Sequence, residues 1–463
     1  MKKKILILIS SDMYIRNYIR AKAFTKIEKK HDCYYLALKN EVKLIKDLKK
    51  KKNFIGSILY KQKNINKFNT FIQSSFFRNK NKSSSISLEI KKRILKIRFS
   101  WGNENLIKIM LMSPLRLGSF IKRFLFFLIS RYFSFIYSFE YKMKVNKKLS
   151  SIISKLNPHL IIIPMRDASV EYYDIMRITK NKIRSLGLID NWDNVSSRGS
   201  FFINTDYLGV WGIQTKKHAI KYQNFNSKNV FPMGTSRFDN YFYLRNLKIK
   251  SNFKFKYILF VESFIHDDTE KELKIIDDLI SNNNIFKKFK IVYRPHPWQK
   301  RHENILNEKK FKNLLIDPQL EKNYKKRNFD FSFQPEINYY PSLISNAEII
   351  VGGPTTMLLE SSIFRKKMIV LGHDNKKTHQ SFTYFTYEDE IKYIVNHRGI
   401  EKIPVITICR NLNDLKKLII NFYKKKNINN SNTDRQRRYF LFDDKYKYRD
   451  RLKNLVYEIL NKE

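Results

Sequence analysis

Phe289-Lys-Ile-Val-Tyr-Arg-Pro-His-Pro297, joined further along by Ala347-Glu-Ile-Ile-Val-Gly-Gly-Pro-Thr-Thr356 and then Glu360, decides the architecture of this chain. Each stretch is a short apolar run ended by turn residues, the pattern of a parallel strand buried on both faces. The second then opens a helix over 357–364. Strand, loop and helix in that order predict an α/β fold with a doubly wound sheet, in which ligands bind beyond the carboxyl ends of the strands. Gly352 and Gly353 would let the backbone approach a ligand closely. Thr355 and Thr356 would add hydroxyls and backbone N–H groups at a helix start, a ready anion site. The plainer alternative is a strand–turn–helix in which Pro and Gly only punctuate.

Two such loops, one carrying a His, suit a nucleotide mono- or diphosphate. His296 would hydrogen-bond a phosphoryl oxygen or, as imidazolium, neutralise charge on a leaving nucleotide. Arg294 would make a bidentate phosphate contact, unless it simply pairs with Glu360. A second polar constellation, Asp190-Asn-Trp-Asp-Asn-Val-Ser-Ser-Arg198, follows another strand end. It suits a cleft wall in which Asn and Ser side chains hydrogen-bond a sugar and Asp193 or Asp190 takes a proton from a hydroxyl, and Trp192 in its middle favours a functional loop. Asp12, after the first strand, is a third candidate base; both Asp190 and Asp12 are alternatively helix caps. The bland reading of the whole loop is a capped turn.

Around these motifs strands and helices alternate: a strand over 5–9, a helix over 14–29, strands over 33–38, 159–163, 186–189, 207–211 and 230–233, then a second series from 257. A Lys-rich hinge over 246–256 separates the series, and the polar run 424–434 leads to a last helix over 444–460. The expected domains are therefore 1–247, 248–434 and a terminal helix within 435–463. The start Met1-Lys-Lys-Lys-Ile-Leu-Ile-Leu-Ile9 has an apolar run too short for a signal peptide and reads as a first buried strand. Residues 114–148 mix Phe and Tyr with Lys and Arg, which fits either a packed helix or one lying on an anionic membrane surface.

With 463 residues, 43% of them hydrophobic, the chain can build two cores and is not a disordered protein. The formal charge of +49 runs through every segment instead of gathering on one motif, so nucleic acid is not the expected partner. Cys33 and Cys409 stand far apart in expected strands, which fits a reducing cytoplasm, and no His or Cys spacing marks a metal site.

The Arg-Pro-His-Pro element, the Gly-Pro-Thr-Thr-(x)3-Glu element and the strand Lys367-Met-Ile-Val-Leu371 together resemble the C-terminal half of GT-B glycosyltransferases. The resemblance spans 186–371 and is nearest to surface-polysaccharide enzymes, the CDP-glycerol glycerophosphotransferases and the bacterial sialyltransferases. It implies two Rossmann-like domains facing a cleft and a terminal helix that crosses back onto the first domain. It further implies a nucleotide-sugar donor held by Arg294, Gly353, Thr355, Thr356 and Glu360, with Glu360 on the ribose hydroxyls, and a glycan or lipid-linked acceptor. The implied reaction is an inverting, metal-independent transfer without a cofactor, in the cytoplasm or at the inner membrane face. Asp193 stands where glycerophosphotransferases place a His, and Arg198 near their Lys, a departure that weakens that branch. A glycerophosphotransferase, a CMP-sugar transferase, a sugar-nucleotide epimerase and a non-enzymatic basic binding protein remain as alternatives.

Overall fold

The computed structural model of the protein describes residues 2–38, 45–59, 145–166, 170–179, 182–197, 201, 203–263, 269–296, 310–324, 336–373 and 387–462. Within them the chain forms two parallel sheets. The first contains β1 (Lys4–Ile9), β2 (Asp32–Ala37), β3 (Phe54–Ser57), β4 (Leu160–Met165), β5 (Arg184–Ile189), β6 (Tyr207–Val210) and β7 (Val230–Pro232), in the order β3-β2-β1-β4-β5-β6-β7. The second contains β8 (Lys256–Val261), β9 (Phe289–Arg294), β10 (Leu314–Ile316), β11 (Ile349–Gly352), β12 (Met368–Leu371) and β13 (Ile406–Cys409), in the order β10-β9-β8-β11-β12-β13. Each sheet winds outward from its first strand and then reverses, between β1 and β4 in one and between β8 and β11 in the other. These reversals open the crevices where ligands of such folds sit. Two Rossmann-like halves make the architecture GT-B.

The continuous apolar runs are explained by helices on both faces. Along β1, Ile5, Ile7 and Ile9 enter one buried cluster, while Leu6 and Leu8 enter another on the opposite face. The second sheet divides likewise, with Leu259 and Val261 on one side and Ile258 and Phe260 on the other. Cys33 and Cys409 are buried free thiols within β2 and β13.

Two expected elements differ. The helix over 14–29 is broken into a short turn at Asp12–Tyr14, a wide π-helical turn at Ile15–Arg20, a left-handed Lys22 and a final turn at Thr25–Glu28. The wide turn carries Asn17 and Tyr18 beneath β5, where Asn17 donates to Asp190 and the Tyr18 hydroxyl to the Leu188 and Ile189 carbonyls. The polar run over 424–434 contains the start of a helix, Asn430–Phe440. Its N-cap Asn429 accepts the Asn432 N–H, and Arg437 is fully buried between Asp434 and Asp443. The last helix, Tyr448–Asn461, buries Leu452, Leu455, Val456 and Ile459 in the core of the first half. We retain 1–247, 248–434 and 435–463 as the proposed domain limits. Residues 61–85 and 114–144, with Arg198, Pro297, His266, His302 and His379, lie outside the described residues. No helix among the described residues is long and apolar enough to cross a membrane.

Candidate functional site

In the second half, the carboxyl ends of β8, β9 and β11 form one edge. Glu262, just beyond β8, accepts the His296 backbone N–H at 2.8 Å and the Tyr293 hydroxyl at 3.0 Å, which fixes the His-bearing loop. Burial pulls the His296 ring down to about 4, against the raising effect of Glu262, so the imidazole is neutral at pH 7. Of the two roles open to His296, the neutral ring suits a hydrogen bond to a phosphoryl oxygen; the imidazolium would form only where an anion draws the proton in.

The glycines answer to the protein itself. A Cβ on Gly352 would stand 2.3 Å from the Val261 carbonyl oxygen, and one on Gly353 2.6 Å from Ser263 Oγ and 2.5 Å from the Tyr387 ring. Packing at the strand end thus accounts for both without a ligand. Thr355 Oγ1 accepts the Met357 N–H at 3.2 Å at the start of the helix Met357–Ile363. Thr356 Oγ1 reaches across to Asn191 Oδ1 in the other half at 3.4 Å. Arg294 departs most from expectation: it is buried, paired with Asp317, bonded to Gln319 at 3.2 Å and stacked 4.2 Å from the Tyr340 ring centre. Burial alone would lower its pKa, but Tyr340 and Asp317 raise it overall. Its guanidinium is committed within its own half, which argues against a phosphate contact.

In the first half, Asp190 ends β5 and is buried, with Asn17 donating to it at 2.8 Å. Burial raises its pKa, and Asn17, Arg237, Arg16 and Arg166 hold it back. Asp193 lies half-buried three residues on, just before the short helix Asn194–Ser197, and its carboxylate accepts the Ser197 hydroxyl at 3.0 Å and the Asn194 side-chain amide at 3.2 Å. Trp192, in the middle of this loop, is core: its ring lies 5.5 Å from His397 and 6.0 Å from Phe440.

The groups that sequence reasoning missed are arginines. Arg237, in the turn Ser236–Phe238 after β7, lies over the Trp211 and Phe238 rings at 4.9 and 4.6 Å. Its Nη2 faces Glu360 Oε1 at 3.8 Å, while the Tyr241 hydroxyl donates to Glu360 Oε2 at 3.2 Å. The buried Nε and Nη2 of Arg237 make no hydrogen bond. Arg16 bonds Asn17 Oδ1 at 2.9 Å, and burial together with Arg237 lowers its pKa. Arg16, Arg237, Asp190 and Glu360 thus form one charged cluster drawn from both halves. Both arginines lie in turns several residues beyond strand ends of the first sheet, Arg16 after β1 and Arg237 after β7, a placement too loose to single them out in the sequence. Glu360, assigned by resemblance to a ribose, faces this cluster across the halves.

No family model matches the chain, and no curated protein matches it. Solved structures share its fold end to end. A protein from Listeria monocytogenes assigned as a UDP-N-acetylglucosamine 2-epimerase aligns at TM-score 0.54 and 8% identity, over 100% of this chain and 97% of that one. The UDP-GlcNAc 2-epimerase from Neisseria meningitidis, solved bound to UDP-GlcNAc, aligns at 0.51 and 10% identity over 99% of both chains. A further UDP-N-acetylglucosamine 2-epimerase aligns at 0.51 and 11%, over 99% of this chain and 96% of that one. At these identities the likeness establishes the fold alone.

Proposed function

We propose that the protein is an enzyme acting on a nucleotide-activated sugar held between the two sheets, and that it inverts a carbon of that sugar. The observation that carries the reading is the Arg237 guanidinium, paired at 3.8 Å with Glu360 of the other half and lowering the pKa of Asp190, with a buried Nε and Nη2 that make no hydrogen bond. A pair of guanidiniums, Arg16 and Arg237, is suited to the phosphate oxygens of a nucleotide diphosphate. Carboxylates from opposite halves, Asp190 and Glu360, give a proton acceptor on one side and a donor on the other. Inversion by proton exchange uses that arrangement: a proton leaves one face, the electron pair left behind expels the nucleotide diphosphate from the neighbouring carbon, and a proton returns to the other face as the diphosphate adds back. The 2-epimerases that share the fold over full length support the same reading, and the commitment of Asp193 to its own helix removes support from a transfer base. His296, Thr355 and Thr356 remain proposed donor contacts.

The test is incubation of the purified chain with UDP-N-acetylglucosamine in deuterated water, without acceptor. Proton NMR should show a second set of sugar-ring signals and deuterium at the inverted carbon. Release of UDP only when an acceptor is added would favour the second reading, transfer to a surface glycan or lipid-linked acceptor at the cytoplasmic membrane face. That reading rests on the ordered His-Pro and Thr-Thr elements and makes Asp193 the base. Under it, Asp193→Asn abolishes transfer and leaves UDP affinity intact; under the first, turnover stays within about threefold because the Asn amide oxygen can still accept the Ser197 hydroxyl.

A further inference from the structure

The reversal of the first sheet, between β1 and β4, holds a crevice of its own. Ser10 and Ser11 beyond β1, Arg166 beyond β4, and Tyr14, Glu171 and Tyr172 from the following helices line it. Glu171 is only 2% exposed, and its Oε2 has no hydrogen-bond partner. The carboxylate sits in the first turn of the helix Val170–Thr179, where the helix dipole favours an anion but supplies no donor to that oxygen. The Tyr172 hydroxyl does not help, since it donates to the Ile203 carbonyl at 2.5 Å. A buried acceptor without a donor destabilises a fold, and a binding site is one setting in which it is retained.

We propose that this crevice binds a neutral, hydroxyl-rich ring, a free sugar or the sugar end of a glycan, with a ligand hydroxyl donating to Glu171. The charge pattern selects neutrality. Glu171 repels a phosphate or carboxylate, and Arg166 repels an amine, whereas a polyol offers donors to the one and acceptors to the other. The buried Tyr14 and other apolar walls suit the C–H face of a sugar ring. The site belongs to the first half alone and does not depend on the nucleotide reading of the cleft.

The experiment uses the full chain, a panel of uncharged methyl glycosides as probes, and saturation-transfer NMR with calorimetry, repeated in saturating UDP. At least one glycoside should bind, with or without UDP. Glu171→Met should weaken it about 10- to 100-fold, as loss of a hydrogen bond to a charged group implies. Ser10→Leu should fill the crevice and abolish binding without touching the carboxylate. Neither change should move UDP affinity, and unliganded Glu171→Met should unfold at the same or a higher temperature than the parent. The proposal is overturned if no glycoside binds, if UDP displaces it, if binding survives both substitutions, or if Glu171→Met unfolds at a lower temperature. Glycoside binding in a protein that ignores UDP would support this site and sink the nucleotide reading.

Discussion

Arg294 and Arg237 both sit at the carboxyl edge of a sheet, yet they are in opposite states. Arg294 has its charge met by Asp317, a further N–H met by Gln319 and its face covered by Tyr340. Arg237 has aromatic rings beneath it and Glu360 at 3.8 Å, but its Nε and Nη2 are buried without a hydrogen bond. The first is a finished structural joint; the second has capacity left for a ligand. Position at a strand end selects candidates for a site. Unspent hydrogen-bonding capacity separates those that bind a ligand from those that hold the protein together.

The largest effect should come from breaking the finished joint. Asp317 is fully buried, so Arg294→Met leaves a carboxylate with only the Tyr339 hydroxyl and the Gln319 N–H. Loss of one partner of a buried ion pair costs about 3–5 kcal/mol. Urea unfolding should show that loss, and Arg294→Met with Asp317→Asn should recover most of it. UDP affinity of the folded fraction should stay within about threefold; a hundredfold fall would return Arg294 to the phosphate site.

Arg237→Met should behave the other way round. Met keeps apolar contact with Trp211 and Phe238 and forfeits no hydrogen bond, but it gives up the 3.8 Å ion pair with buried Glu360 and the cation–π contacts, so unfolding free energy should fall by about 1–3 kcal/mol, less than at Arg294. Turnover of the nucleotide sugar should fall about 10²- to 10³-fold, the usual cost of removing one preorganised donor. Unchanged turnover would remove Arg237 from the site and reduce the contrast with Arg294 to geometry.

The contrast also shows what the sequence carried. The apolar runs of β1, β4, β8 and β11, and their repeated alternation with helices, were sufficient for two doubly wound halves, because burial on both faces leaves a direct trace in residue type. His296 was singled out by its place just beyond β9, and Glu360, within the helix Met357–Ile363, by resemblance. Arg16 and Arg237 were not, because each lies in an irregular turn with no periodicity, and only the meeting of two halves makes a cluster of them. Trp192, in the middle of the polar loop, is covered by Phe440 at the end of the helix Asn430–Phe440, a contact between distant segments that leaves no local trace in the sequence. The glycines gave the right loop for a reason other than the expected one, since Val261 and Ser263 crowd them. Part of the high positive charge is internal too: Arg245, Arg365 and Arg437 converge on Asp434.

His296 offers the smallest and most discriminating test, because its state should change when the site fills. Its ring titrates near 4 in the unliganded protein, below the ordinary 6.5, because burial disfavours the charged form. Above pH 6.5 neither folded nor unfolded chain carries the proton, so the group is silent. As pH falls from 6.5 towards 4, the unfolded chain takes up a proton that the folded chain refuses, and the contribution of this group to stability is progressively lost. A bound phosphate reverses the sign, since an adjacent anion favours the imidazolium. UDP binding should therefore take up a proton, and affinity should rise by up to about tenfold between about pH 7.5 and about pH 5.5, one pKa unit being worth a factor of ten. The UDP phosphate titrates in the same window, so the measurement is the difference between the parent and His296→Gln, followed by calorimetry in two buffers of different ionisation enthalpy. A flatter affinity profile and smaller proton uptake in His296→Gln put the ring against the phosphate. Identical profiles would mean that Glu262 holds this loop for a structural purpose only, like the joint at Arg294.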